Sequence, residues 1–110
     1  MELAKKSCLP CEGGQPPLEP ERVESLLAEL KGWQVVPGKS ELHKRFEFAS
    51  FRDNMNFVAR VADLAEDEGH HPDFCVRYSV LDITLTTHGI GGLSDNDFIL
   101  AAKIDALAPS

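Results

Sequence analysis

Apolar positions recur at helical spacing in three stretches of the chain and alternate in four shorter ones. Val23, Leu26, Leu27 and Leu30 stand at i, i+3, i+4 and i+7, which predicts a first helix over Pro20 to Leu30. Proline suits a first helical turn, and Gly32 supplies the stop. Trp33 to Val36 predicts a short strand, and Pro37-Gly38 is turn chemistry. From Glu41 to Phe48 the pattern alternates: Leu42, Phe46 and Phe48 fall on one face, and His43, Arg45 and Glu47 on the other. The two strands predict a hairpin. Ser50 to Glu68 is the longest helix, with a stripe of Phe51, Met55, Val58, Ala62 and Ala65 that Val61 and Leu64 widen. Ser50 with Asp53 resembles a capping box. Gly69 suits a left-handed C-terminal position, and Pro72 forbids continuation. Phe74 to Val80 and Leu81 to Thr87 predict two more strands, the second with Ile83, Leu85 and Thr87 opposite Asp82, Thr84 and Thr86. Gly89, Gly91 and Gly92 make a loop, and Ser94 caps a last helix to about Leu107, carrying Phe98, Ala101, Ile104 and Leu107.

The resulting order, α-β-β-α-β-β-α, predicts an α+β fold: a four-stranded antiparallel sheet with helices packed on one face. A length of 110 residues argues for one domain. A domain of that size buries roughly 65% of its unfolded surface. Pro10, Gly13, Gly14, Pro16 and Pro17 mark residues 1–17 as a flexible tail ahead of a single domain over 18–110. A four-stranded sheet has two open edges, so a homo-oligomer is expected.

Charge and composition narrow the partners. Eleven basic and eighteen acidic residues leave a net charge of −7. With no basic stripe to reverse that field, phosphate backbones are repelled, which argues against direct nucleic-acid or anionic-membrane binding. The longest apolar run, Phe98 to Ala102, is far short of the ~20 residues of a membrane span. Lys5 and Lys6 are followed by no apolar stretch, so no secretory signal is expected. Three cysteines do not make a disulfide framework, and a reducing cytoplasm is the expected setting. Cys8-Leu-Pro-Cys11 supplies half of a structural zinc site at most. No strand precedes it, as a thioredoxin-like motif would require. Both cysteines are expected free in the tail.

Three of the four histidines, His70, His71 and His88, fall within nineteen residues, each where the chain leaves a helix or a strand. Imidazole titrates near neutrality, so such a cluster points to proton transfer or metal binding. A pocket between the 70–72 turn and the 87–92 loop is expected, with Asp97 on the first turn of the next helix within reach. Asp97 is also three residues past Ser94, where a plain capping role competes. Three histidines and a carboxylate would suit zinc, but adjacent side chains such as His70 and His71 tend to diverge. The expectation is therefore no metal. The glycine-rich 89–92 loop lacks the lysine and the spacing of a phosphate cradle.

The run Glu66, His70, His71, Pro72, then Tyr78, His88 and Asp97, resembles the signature of the pterin-4a-carbinolamine dehydratases. Leu-Lys-Gly-Trp before the first strand, Ile-Thr-Leu-Thr-Thr-His, and Gly-Leu-Ser-Asp-Asn-Asp-Phe-Ile-Leu-Ala match as well, so the likeness covers about residues 18–108. The resemblance implies a hydro-lyase that dehydrates 4a-hydroxytetrahydropterin to quinonoid dihydropterin. That step recycles the cofactor of aromatic amino acid hydroxylases. It implies a small-molecule pterin as substrate, no metal or organic cofactor, and a homodimer or homotetramer joined through sheet edges and helix packing. It also implies catalytic roles for His70, His71 and His88, and a substrate site of His70, His71, Pro72, Thr87, His88, Gly89 and Ile90. Glu66 and Asp97 would support it. Among the histidines, His70 and His88 are expected to carry acid–base chemistry and His71 to hold the pterin. Glu66, one helical turn before His70, is expected to orient it. Some members of the family act instead as a dimerisation cofactor of a homeodomain transcription factor or as assembly modules. A catalytically weak binding module is thus the alternative.

Overall fold

The structure, a computed structural model, describes residues 3–6, 8, 16–36 and 40–108, and of His88 the backbone only. Helix α1 spans Pro20–Leu27, strand β1 Gln34–Val35, β2 Leu42–Glu47, α2 Phe51–Glu68, β3 Asp73–Arg77, β4 Val80–Leu85 and α3 Asp95–Leu107. Single 3-10 turns occupy Leu3–Lys5 and His88–Ile90. The sheet runs β1-β2-β4-β3 with every neighbour antiparallel, the architecture the pattern predicts.

One face of the sheet is apolar and covered. Leu42, Leu81, Ile83 and Leu85 are fully buried, and they meet Phe57 and Val61 of α2 and Phe98, Leu100 and Ile104 of α3 in a single core. Trp33 joins that core and donates its indole N–H to Asp105, which satisfies the one polar atom such burial strands. The uncovered face carries His43, Arg45 and Arg77 gathered around the Asp82 carboxylate.

Four differences from the sequence pattern have local causes. First, α1 ends at Leu27 rather than Leu30, because Glu29 and Leu30 bond back three residues to Leu26 and Leu27 as the helix tightens and stops. Second, β3 stops at Arg77 and β4 begins at Val80, with a turn between them at Tyr78-Ser79. Tyr78 takes φ 53°, a left-handed backbone that glycine or asparagine usually supplies. The turn is pinned from α2, where buried Asn54 donates to the carbonyls of Tyr78 and Val80. Third, α2 buries Asn54, Phe57, Val61 and Ala65, so the core stripe is rotated from the one expected, and Phe51 and Met55 are left exposed. Fourth, Leu3, which the pattern leaves in the tail, is buried at 2% exposure within the core cluster. The Pro37-Gly38 turn lies outside the described residues.

Candidate functional site

The site is built where α2 ends and α3 begins. Ser50 caps the start of α2 by accepting from the Asp53 amide. Its far end closes on Gly69 in the left-handed conformation, φ 69°. The His70 amide reaches back to the Ala65 carbonyl, and from there the chain turns away toward β3. His70 and His71 consequently diverge. His70 points inward and sets Nε2 2.6 Å from Asp97 Oδ1, the imidazole being 12% exposed and the carboxylate fully buried. His71 points outward to Glu66 Oε2 at 2.5 Å, with 61% and 77% of the two side chains exposed.

Asp97 is held from several directions. Its Oδ2 accepts the Thr87 hydroxyl at 2.8 Å and the Ser94 amide at 2.9 Å, while Oδ1 meets His70. The Thr87 and Ser94 hydroxyls lie 2.8 Å apart. An ionised carboxylate only accepts, so the three groups around it act as donors, and His70 gives its Nε2–H. The capping role and the histidine-binding role, which competed in the sequence, are performed by the same carboxylate. Thr87 bridges to Gly92 across a tight loop, and inside that loop His88 opens the 3-10 turn His88–Ile90. The His88 imidazole itself lies outside the described residues, as does part of the pocket expected beside it.

Placement of the other expected residues is mixed. Pro72 and Ile90 are half-buried and Gly89 is exposed. Glu66 supports His71, not His70. The helical i, i+4 relation that would join Glu66 to His70 is broken by the left-handed turn at Gly69. Tyr78 lies at the far end of β3, away from the histidines, with 71% of its surface exposed. Thr87, expected to touch substrate, is buried and engaged by Asp97. Its partner Ser94 is legible in the sequence only as a cap.

Two clefts are defined by described residues. One of about 340 Å³ lies between Glu47, Phe48 and Ala49 and the α2 residues Asp53, Phe57 and Arg60. The other, about 470 Å³, lies between α1, β1 and Leu93. No histidine lines either. Among the described residues no three His, Cys, Asp or Glu side chains converge as a metal-ligand cluster, and no helix is long and apolar enough to cross a membrane.

Comparison with known proteins places the chain in a family. The family model described as pterin 4 alpha carbinolamine dehydratase matches residues 16–107. A protein of Rubrobacter xylanophilus called "Putative pterin-4-alpha-carbinolamine dehydratase" is 48% identical over 106 residues, covering 96% of this chain and 98% of its own. A protein of Halorhodospira halophila with the same name is 42% identical over 107 residues, covering 97% of this chain and 98% of its own. Among solved structures, a transcriptional coactivator/pterin dehydratase from Brucella melitensis superposes with a TM-score of 0.81 at 33% identity, over 84% of this chain and 99% of that one. A pterin dehydratase-like RuBisCO assembly factor of the alpha-carboxysome gives 0.62 at 30% identity, over 72% and 92%. The chain therefore belongs to the pterin 4 alpha carbinolamine dehydratase family.

Proposed function

We propose that the chain is a hydro-lyase that converts 4a-hydroxytetrahydropterin to quinonoid dihydropterin and water, and so recycles the pterin cofactor of aromatic amino acid hydroxylases. The observation that carries this is the buried His70–Asp97 pair, tied through Thr87 to the segment that bears His88. The C4a–O bond breaks and the oxygen leaves as water after gaining a proton. N5 loses its proton, and the nitrogen electron pair forms the C4a=N5 bond. One acid and one base suffice. His70, with Nε2 committed to Asp97, has Nδ1 left to move a proton, and His88 supplies the second imidazole. General acid–base help of this kind is worth about 10²–10⁴-fold.

His71, on an exposed turn with Glu66, suits a fixed contact to the pterin, beside Pro72, Gly89 and Ile90. The reaction needs no electron transfer and no Lewis acid, so neither organic cofactor nor metal is assigned. The exposed Phe51 and Met55 on α2 and the open sheet edges support a homodimer or homotetramer.

Loss of synthetic 4a-hydroxytetrahydropterin, followed with and without the protein, tests the reading. It expects dehydration well above the buffer rate, and a protein no faster than buffer at micromolar concentration ends it. A second reading, an assembly or coactivator module of the same fold, draws support from what the two solved relatives are said to do. It gains if the protein folds and binds pterin without turnover.

A further inference from the structure

The last turn of α2 is acidic against its own dipole. Glu66, Asp67 and Glu68 crowd the negative end of the helix, and no basic residue lies in that turn. Such a terminus frays unless something outside the helix holds it, yet His70 is placed by it. Glu66 is matched by His71. Glu68 is matched differently and more deeply. Its Oε2 lies 3.3 Å from Lys103 Nζ on α3, with both side chains largely buried, and its Oε1 accepts the Cys8 amide at 2.8 Å. The Cys8 thiol lies 3.6 Å from the Asn96 carbonyl, one residue before Asp97. Burial first, and Glu68 second, push that thiol up to about 12, so it stays protonated and can donate.

We propose that Glu68 is a positioning residue: by gripping Lys103 and the Cys8 amide at once, it fixes the end of α2 against α3, and with it the separation of His70 from Asp97. Asp97 is anchored by the Ser94 amide of its own helix cap and by the Thr87 hydroxyl. Among the described residues, the local anchor of His70 is one backbone bond to Ala65, so the spacing of the pair follows from where α2 ends. Cys8 is part of the same clamp, which gives this residue ahead of α1 a role in the site.

The kinetic arm of the test rests on the dehydratase reading; the spectroscopic arm does not. Glu68→Gln keeps an acceptor for Cys8 and removes the charge, and Lys103→Met removes the partner with little change of volume. In the full chain, both should weaken or erase the exchange-protected imidazole N–H resonance of His70. They should also lower kcat by about tenfold or more, since an ångström of misplacement costs up to ~10²-fold, while KM stays within about twofold. Asp67→Asn, which removes a neighbouring charge from the same turn, should change neither. Variants that melt earlier but keep the resonance and kcat would make Glu68 structural only and overturn the proposal. The same holds if Asp67→Asn reproduces their effect. A wild-type chain that shows the resonance but no dehydration sinks the functional reading alone, and the resonance in Glu68→Gln then decides the positioning role.

Discussion

Two histidine–carboxylate pairs sit on consecutive residues and live in different surroundings. His70–Asp97 spans two elements, its carboxylate fully buried. His71–Glu66 lies on the outside of one helix end, with most of both side chains in water. An imidazole and a carboxylate at nearly the same separation therefore have different physical worth in the two places. In water the charges are screened and the geometry is loose. In the interior the pair is costly to leave incomplete, and its geometry is fixed by everything packed around it. A third pair, His43–Asp82 on the open sheet face, is intermediate, with an 11% exposed carboxylate. The lesson is that burial and the number of donors, not proximity alone, set what each pair contributes.

That ranking can be broken by mutation. The largest effect is expected from Asp97→Ala. It removes the buried acceptor shared by Thr87, Ser94 and His70 and should cost about 3–5 kcal/mol in urea unfolding, along with most of any dehydratase activity. A loss under ~1 kcal/mol would show that the site collapses around the gap and that burial is not the deciding term.

Next comes the kinetic split between the neighbouring histidines. His70→Ala should lower kcat by about 10²–10⁴-fold. His71→Ala should raise KM and leave kcat within a few-fold. If His71→Ala abolished turnover at saturating substrate while His70→Ala did not, the inside pair would not be the chemical one.

The intermediate pair offers a pH test. Burial pushes the Asp82 carboxyl up, but hydrogen bonds from Arg45 and His43 more than offset this and hold it below its ordinary 3.8. A depressed carboxyl stabilises the fold above its unfolded value and loses that contribution as pH falls through the lower folded value. Asp82→Asn should therefore cost about 1–2 kcal/mol near neutrality. The difference from wild type should shrink below pH 3.8 and vanish in stronger acid. A difference that is flat between pH 7 and pH 2.5 would contradict this. Smallest of all, Glu66→Gln should change stability by less than about 0.5 kcal/mol. A larger loss would mean that the exposed pair is held more tightly than its exposure implies.

Much of the frame is legible in the residues because it is written locally. Ser50, Gly69 and Pro72 bracket α2, Ser94 with Asp97 starts α3, and alternation in β2 and β4 sorts core from surface. What was not legible depends on distant partners. The Tyr78 turn carries no glycine and is held by Asn54, more than twenty residues upstream. The inward face of α2 was misplaced because Phe51 and Met55 look as apolar as the true stripe, and Asn54, polar by type, is wholly buried. In the site, the residue types were evident, but the pairing was not. Helical spacing joins Glu66 to His70 only if the helix continues, and Gly69 ends it. Cys8 and Leu3 offered no periodic signal, since their burial comes from helices made much later in the chain.

That last point bears on the order in which the molecule assembles. Cys8 meets Glu68 and Asn96 across 60 and 88 residues of sequence, and contacts of such range form late because long loops must close first. During synthesis Cys8 emerges well before Glu68 and Asn96, so these contacts form only once α3 has been made. Until then His70 lacks the Asp97 carboxylate that it meets in the folded chain.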